Sequence, residues 1–137
     1  MELDIQLISI LIGLSSGAFG YWFTTFFVQP ILRYRDIRSK ILKDFIYFAQ
    51  VVNADGLNNR MKNLHERKIL ENRDSSARLS AAVLELPNCY KLYLKFCKLD
   101  PSTAAKQLIG YSNTTDYDQA HKLANAIRKN VGLPEET

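Results

Sequence analysis

Charge is missing from the opening stretch of this 137-residue chain. From Ile5 to Leu32, 28 consecutive residues contain no Asp, Glu, Lys or Arg. No Lys or Arg precedes Arg33. So long an uncharged run excludes a uniformly soluble globular protein. Cysteine is scarce too, with two residues, which excludes a disulfide scaffold. The hydrophobic share of 47% excludes a disordered chain. There is no glycine-rich phosphate loop, no zinc-ligand spacing and no nucleophile elbow. Period-2 alternation bounded by hairpin turns is absent as well.

What is present is divided by position. All 18 basic residues and 12 of the 14 acidic ones follow residue 32, so that part carries +6. The pattern predicts a single-pass membrane helix over 5–29, a juxtamembrane helix over 30–53 and a helical bundle over 54–133. The expected class is all-α, an antiparallel bundle of about five helices behind one transmembrane helix.

A helix rises 1.5 Å per residue, so 28 residues reach about 42 Å, against a hydrocarbon core of roughly 30 Å. The flank Met1-Glu2-Leu3-Asp4 has no basic n-region, and the apolar run continues past Ser16-Gly17-Ala18. An uncleaved anchor is expected. Arg33, Arg35, Arg38, Lys40 and Lys43 follow the run. The positive-inside rule then places the N-terminus outside and residues 33–137 in the cytoplasm. The same five side chains are candidates for lipid headgroup contact. Tyr21 and Trp22 suit an interfacial aromatic belt.

On a helix, Gln6, Ser9, Gly13, Ser16, Gly17, Gly20 and Thr24 fall within one arc of about 100°. Ile8, Leu11, Ile12, Leu14, Phe19, Trp22 and Phe26 occupy the other faces. Gly13/Gly17 and Ser16/Gly20 are small-xxx-small pairs, which allow close backbone approach. The stripe reads either as a helix-packing face of a homo-oligomer or as the lining of a pore. Chance placement of glycine in a membrane helix is the plainer alternative.

Pro30 is expected to end or kink the span. Arg33–Val52 reads as a helix, through Tyr34, Ile37, Ile41, Phe45, Phe48 and Val52. A second runs from Leu57 to about Leu86, and its charged middle (Lys62 to Arg78, including Lys68) reads as a solvated face. Pro87 opens a short helix carrying Cys89 and Cys97. These lie roughly 12 Å apart by rise, too far to pair, and are expected to pack as small hydrophobes. Asp100-Pro101 caps the next helix, which Gly110 closes. Thr115 with Asp118 forms a weak capping box for the last helix, which Gly132-Leu133-Pro134 stops.

Arg60 and His65 have an R-x4-H spacing that resembles the motif of HEPN-type ribonucleases, which are dimeric helical bundles. That resemblance implies a catalytic histidine and a phosphate-stabilising arginine. Met61 stands where the family has a polar residue. On a straight helix the two side chains point about 140° apart, and an ordinary solvated helix face explains both. His121 reads as structural.

Two longer resemblances cover most of the chain. Gly20-Tyr21-Trp22-Phe23, Gln29–Ile37, Leu86–Tyr90 and Leu108–Thr114 resemble an uncharacterised family of short bacterial single-pass proteins, which implies no activity. The layout also resembles the small membrane accessory protein of type VI-B, RNA-targeting CRISPR systems. That likeness implies a HEPN-like cytoplasmic domain, a ring-shaped pore and a membrane-perturbing role in antiviral defence. The expectation is therefore a non-enzymatic, homo-oligomeric membrane protein. Alternatives are a membrane-tethered ribonuclease and a passive adaptor. The expected partners are the membrane, further copies of the chain and a cytoplasmic protein. No nucleic acid, cofactor or metal is expected.

Overall fold

The computed structural model describes residues 2–53, 55–56 and 58–135, with side chains from residue 4 onward. It is all-helical, with no strand among the described residues. One long helix leads. It comprises α1 (Glu2–Phe23), a π-helical turn (Thr24–Val28) and α2 (Gln29–Tyr47). Then follow α3 (Asn59–Glu85), α4 (Asn88–Phe96), α5 (Pro101–Asn113) and α6 (Tyr117–Val131).

The long helix does not end at Pro30. Proline has no N–H to donate, and its ring crowds the carbonyl four residues back. The turn just before it is widened, with the Gln29 N–H reaching the Thr24 carbonyl. A π turn holds one more residue than an α turn, and such bulges accommodate a local disruption without breaking the helix. The expected helix over residues 33–52 stops instead at Tyr47, where the Phe48 N–H bonds to the Asp44 carbonyl. Phe48, Val51 and Val52 lie beyond that end and are buried.

Local chemistry sets the other boundaries. The Asn58 side chain caps α3 by accepting from the Met61 N–H. Asp100 caps α5, accepting from the Thr103 N–H and hydroxyl. The cap of α6 is Asp116, accepting from Gln119, one residue along from the expected Thr115/Asp118 box. Gly110 does not close α5. The helix runs three residues further, because Gly110 sits at ordinary helical φ and faces Leu123. Gly132 does close α6. It is left-handed at φ 71°, and the Leu133 N–H reaches the Arg128 carbonyl, a Schellman stop.

α2, α3, α5 and α6 share one core, which includes Tyr34, Ile41, Phe45, Leu79, Leu108 and Ile127. Neighbours run in opposite senses. Arg33 meets Glu85 and Lys40 meets Glu71, so α2 and α3 oppose. Ser76 meets Ala105 and Arg73 meets Asn113, so α3 and α5 oppose. α3 and α5 pack through small residues, with Ser75, Ser76, Ala82, Ala104 and Ala105 all buried. The Ser76 hydroxyl donates to the Ala105 carbonyl at 2.6 Å.

Two sequence expectations fail in this domain. Lys68 is not on a solvated face; it is 1% exposed. It shares the buried α3 stripe of Asn72, Ser75, Leu79 and Ala82 and meets Tyr111 of α5. Cys89 and Cys97 do not pack as small hydrophobes; both are exposed. The short α4 fully buries only Leu94; Cys89 lies away from that side, and Cys97 stands just past the helix end.

Candidate membrane helix and its flanking charges

Asp4–Tyr47 contains a helical window long and apolar enough to cross a membrane by length and composition. None of that window is buried inside the chain. Residues 4–23 are exposed throughout. A Cβ added at Gly13, Gly17 or Gly20 would meet nothing within 4 Å. The small-residue stripe therefore has no partner within its own chain.

Gln6, Ser9, Gly13, Ser16, Gly17 and Gly20 lie in regular α-helix, so their shared face follows from 3.6-residue periodicity. Thr24 is different. It begins the π turn, where that periodicity changes. The Ser9 hydroxyl donates to the Ile5 carbonyl at 2.9 Å, so its polarity is satisfied inside the helix. Aromatic rings cluster at the other end of α1. Trp22 lies 6.1 Å from Phe19, 5.9 Å from Phe26 and 5.6 Å from Phe27 between ring centroids. Phe23 stacks on Phe27 at 5.3 Å.

The five basic residues after the run divide into groups with different environments. Arg33 is paired with Glu85. Arg38 is half-buried, with its guanidinium beside Gly132. Lys40 is held by Asp44 at 3.0 Å, Glu71 at 2.7 Å and the Ser75 hydroxyl at 3.0 Å. Burial opposes the Lys40 charge, but the bonds to Glu71 and Asp44 outweigh it and raise its pKa. Lys40 thus serves to join α2 to α3. Arg35 and Lys43 are exposed. By helical rise Lys43 stands about 21 Å beyond Gln29, whereas Arg33 and Arg35 stand within about 10 Å. Only the near group lies at headgroup depth if α1 spans the bilayer.

Arg60 and His65 are not brought to one cleft. Exposed Arg60 lines an open depression of about 870 Å³ with Tyr47, Asn58, Asn63 and Arg67. His65 is not on that wall. Its Nε2 donates to the Val52 carbonyl at 3.2 Å, tying α3 to the preceding loop. His121 has a local partner, with the Asn125 amide 3.1 Å from its Nε2.

Sequence reasoning missed Lys68. Its Nζ sits 4.5 Å from the centroid of the Tyr111 ring and has no hydrogen-bond partner among the described residues. Burial pushes its pKa down to about 8. The available signal was its 3–4 spacing from Asn72, Ser75 and Leu79, masked by the charges on either side. Comparison of the chain with protein families, curated proteins and solved structures finds no match.

Proposed function

We propose that the chain is a non-enzymatic membrane protein that self-associates through α1. The helix crosses the inner membrane once, N-terminus outside, and α2–α6 form an antiparallel cytoplasmic bundle. One observation carries this reading. The stripe Gln6, Ser9, Gly13, Ser16, Gly17, Gly20 meets no other element of its own chain, and a Cβ at its glycines would meet nothing within 4 Å beyond the helix's own backbone. Without a hydrophobic drive between helices in lipid, association rests on close backbone packing, which small residues permit. The internal bond of Ser9 favours packing over the lining of a lumen, since its hydroxyl needs no water. His65, held by a loop carbonyl, supports a structural rather than catalytic role.

The mass of the detergent-solubilised particle tests this. Wild type should exceed one copy, and Gly13→Ile with Gly17→Ile should reduce it to a monomer. A monomeric wild type, or an assembly untouched by both substitutions, overturns the proposal. A stoichiometry of two supports packing alone, whereas a ring of many copies supports the pore form.

A further inference from the structure

The short helix α4 has two apolar sides. Leu94 faces the core and is 4% exposed. The opposite side carries Leu92 at 69% exposed, Phe96 at 87% and Tyr93 at 55%, with exposed Cys89. At 100° per residue these four fall within an arc of about 100°. Exposed Lys95 borders that arc next to Leu92 and exposed Lys98 follows the helix, whereas Lys91 lies toward the Leu94 side. Leu84, 79% exposed, belongs to the same end, since the Lys91 ammonium donates to its carbonyl at 3.0 Å.

The position of α4 is what identifies a partner. Its first turn packs on the start of α2, with the Tyr90 and Tyr34 ring centroids 6.0 Å apart. Glu85, just before it, pairs with Arg33. Ile31, one residue after Pro30, already packs on the bundle core. So the bundle begins within a turn of the apolar run, and α4 lies at that end. The interfacial layer of a bilayer adds about 5–8 Å on each side of the hydrocarbon, so α4 falls at its depth. An amphipathic helix with leucine and aromatic residues on one side and lysines beside them is suited to lie in that layer.

We propose that α4 is a membrane-surface helix. Leu92, Tyr93 and Phe96 enter the boundary between headgroups and acyl chains, while Lys95 and Lys98 bind anionic headgroups. This rests on the reading that α1 spans the bilayer. The bundle is then held to the membrane at two places, which fixes its tilt relative to α1.

The full chain offers two probes. Trp22 is its single tryptophan, and Cys89 is the single thiol in a Cys97→Ser variant. The protein is placed in nanodiscs of phosphatidylcholine, with or without phosphatidylglycerol, and an environment-sensitive fluorophore is attached at Cys89. Nitroxide-labelled lipids should quench both Trp22 and the Cys89 label. The label should be quenched best by nitroxides near the headgroup, and more strongly with phosphatidylglycerol. Leu92→Glu with Phe96→Glu should abolish quenching at Cys89 and leave Trp22 quenched. Lys95→Gln with Lys98→Gln, a milder change, should remove the phosphatidylglycerol effect. Quenching of Trp22 without quenching of the label overturns the α4 proposal alone. A blue-shifted label that lipid nitroxides do not reach also overturns it, in favour of a protein covering this face. Absence of quenching at both probes overturns the spanning of α1, and the α4 proposal with it.

Discussion

Lys68 places its ammonium 4.5 Å from the centre of the Tyr111 ring, and Tyr111 in turn packs edge-on against Phe45 at 5.1 Å. Arg128 lies 5.6 Å from the Phe45 ring. Two buried cations thus bracket a pair of aromatic rings where α2, α3, α5 and α6 meet. The ring face attracts the Lys68 charge, by about 2 kcal/mol when desolvated, but supplies no acceptor for its three protons.

Lys68→Met should therefore raise stability, by roughly 1–3 kcal/mol at pH 7, because the desolvation of an unbonded ammonium is removed. The advantage should shrink with rising pH. The folded-state pKa is lowered to about 8 from 10.5, so the unfolded chain binds more protons between those values and wild-type stability climbs across that window. Below pH 8 the difference should be constant. Melting curves of both proteins in detergent at pH 7 and pH 10 check this. A Lys68→Met variant less stable at both would contradict it.

Lys40 and Arg33 should respond differently to removal. Lys40→Met strands the Asp44 carboxylate, which is buried, together with Glu71 and Ser75. A loss of about 1–3 kcal/mol is expected. Arg33→Ala breaks a pair whose side chains are 58% and 49% exposed, and should change stability by less than about 1 kcal/mol. Parallel denaturant titrations compare the two.

Gly132→Ala should cost more than Gly56→Ala. Both glycines have φ of 71°, so both substitutions meet left-handed strain of roughly 1–2 kcal/mol. Only at Gly132 would the new Cβ also crowd a neighbour, Leu99 Cδ1 at 3.1 Å. Equal losses in melting temperature would show that Leu99 yields freely.

Asp100→Ala should destabilise by about 1 kcal/mol through loss of the α5 cap. Hydrogen bonds from the Thr103 hydroxyl and N–H hold the Asp100 carboxyl below its usual pKa of 3.8. Its contribution is thus present above that value and lost as pH falls through the lowered folded pKa. The gap between wild type and Asp100→Ala should close in acid, as thermal melts at pH 7 and pH 2 would register.

Features encoded within a few residues were legible in the sequence. The uncharged run, the Asp100-Pro101 start and the Gly132 stop each depend on local chemistry, and each stands where expected. Features decided by distant neighbours were not. Lys68 is carried inward with the buried α3 stripe, and its 3–4 spacing from Asn72, Ser75 and Leu79 was masked by the charges on either side. Gly110 keeps ordinary helical φ inside α5, next to Leu123 of α6, rather than forming a turn. The stripe on α1 was readable as far as Gly20, where regular winding holds. Past Thr24 the same reading no longer holds, since periodicity assumes a uniform helix and the π turn starts there.

That turn has a mechanical meaning. A loop between α1 and α2 would let each rotate freely, whereas a continuous helix works as a shaft. The additional residue wound in at Thr24–Val28 sets the angle at which that shaft is keyed. Glycines on one side of α1 and Arg33, Lys40 and the core residues on α2 thereby keep a fixed relative orientation. A rotation of the apolar end is coupled to the bundle, and the reverse.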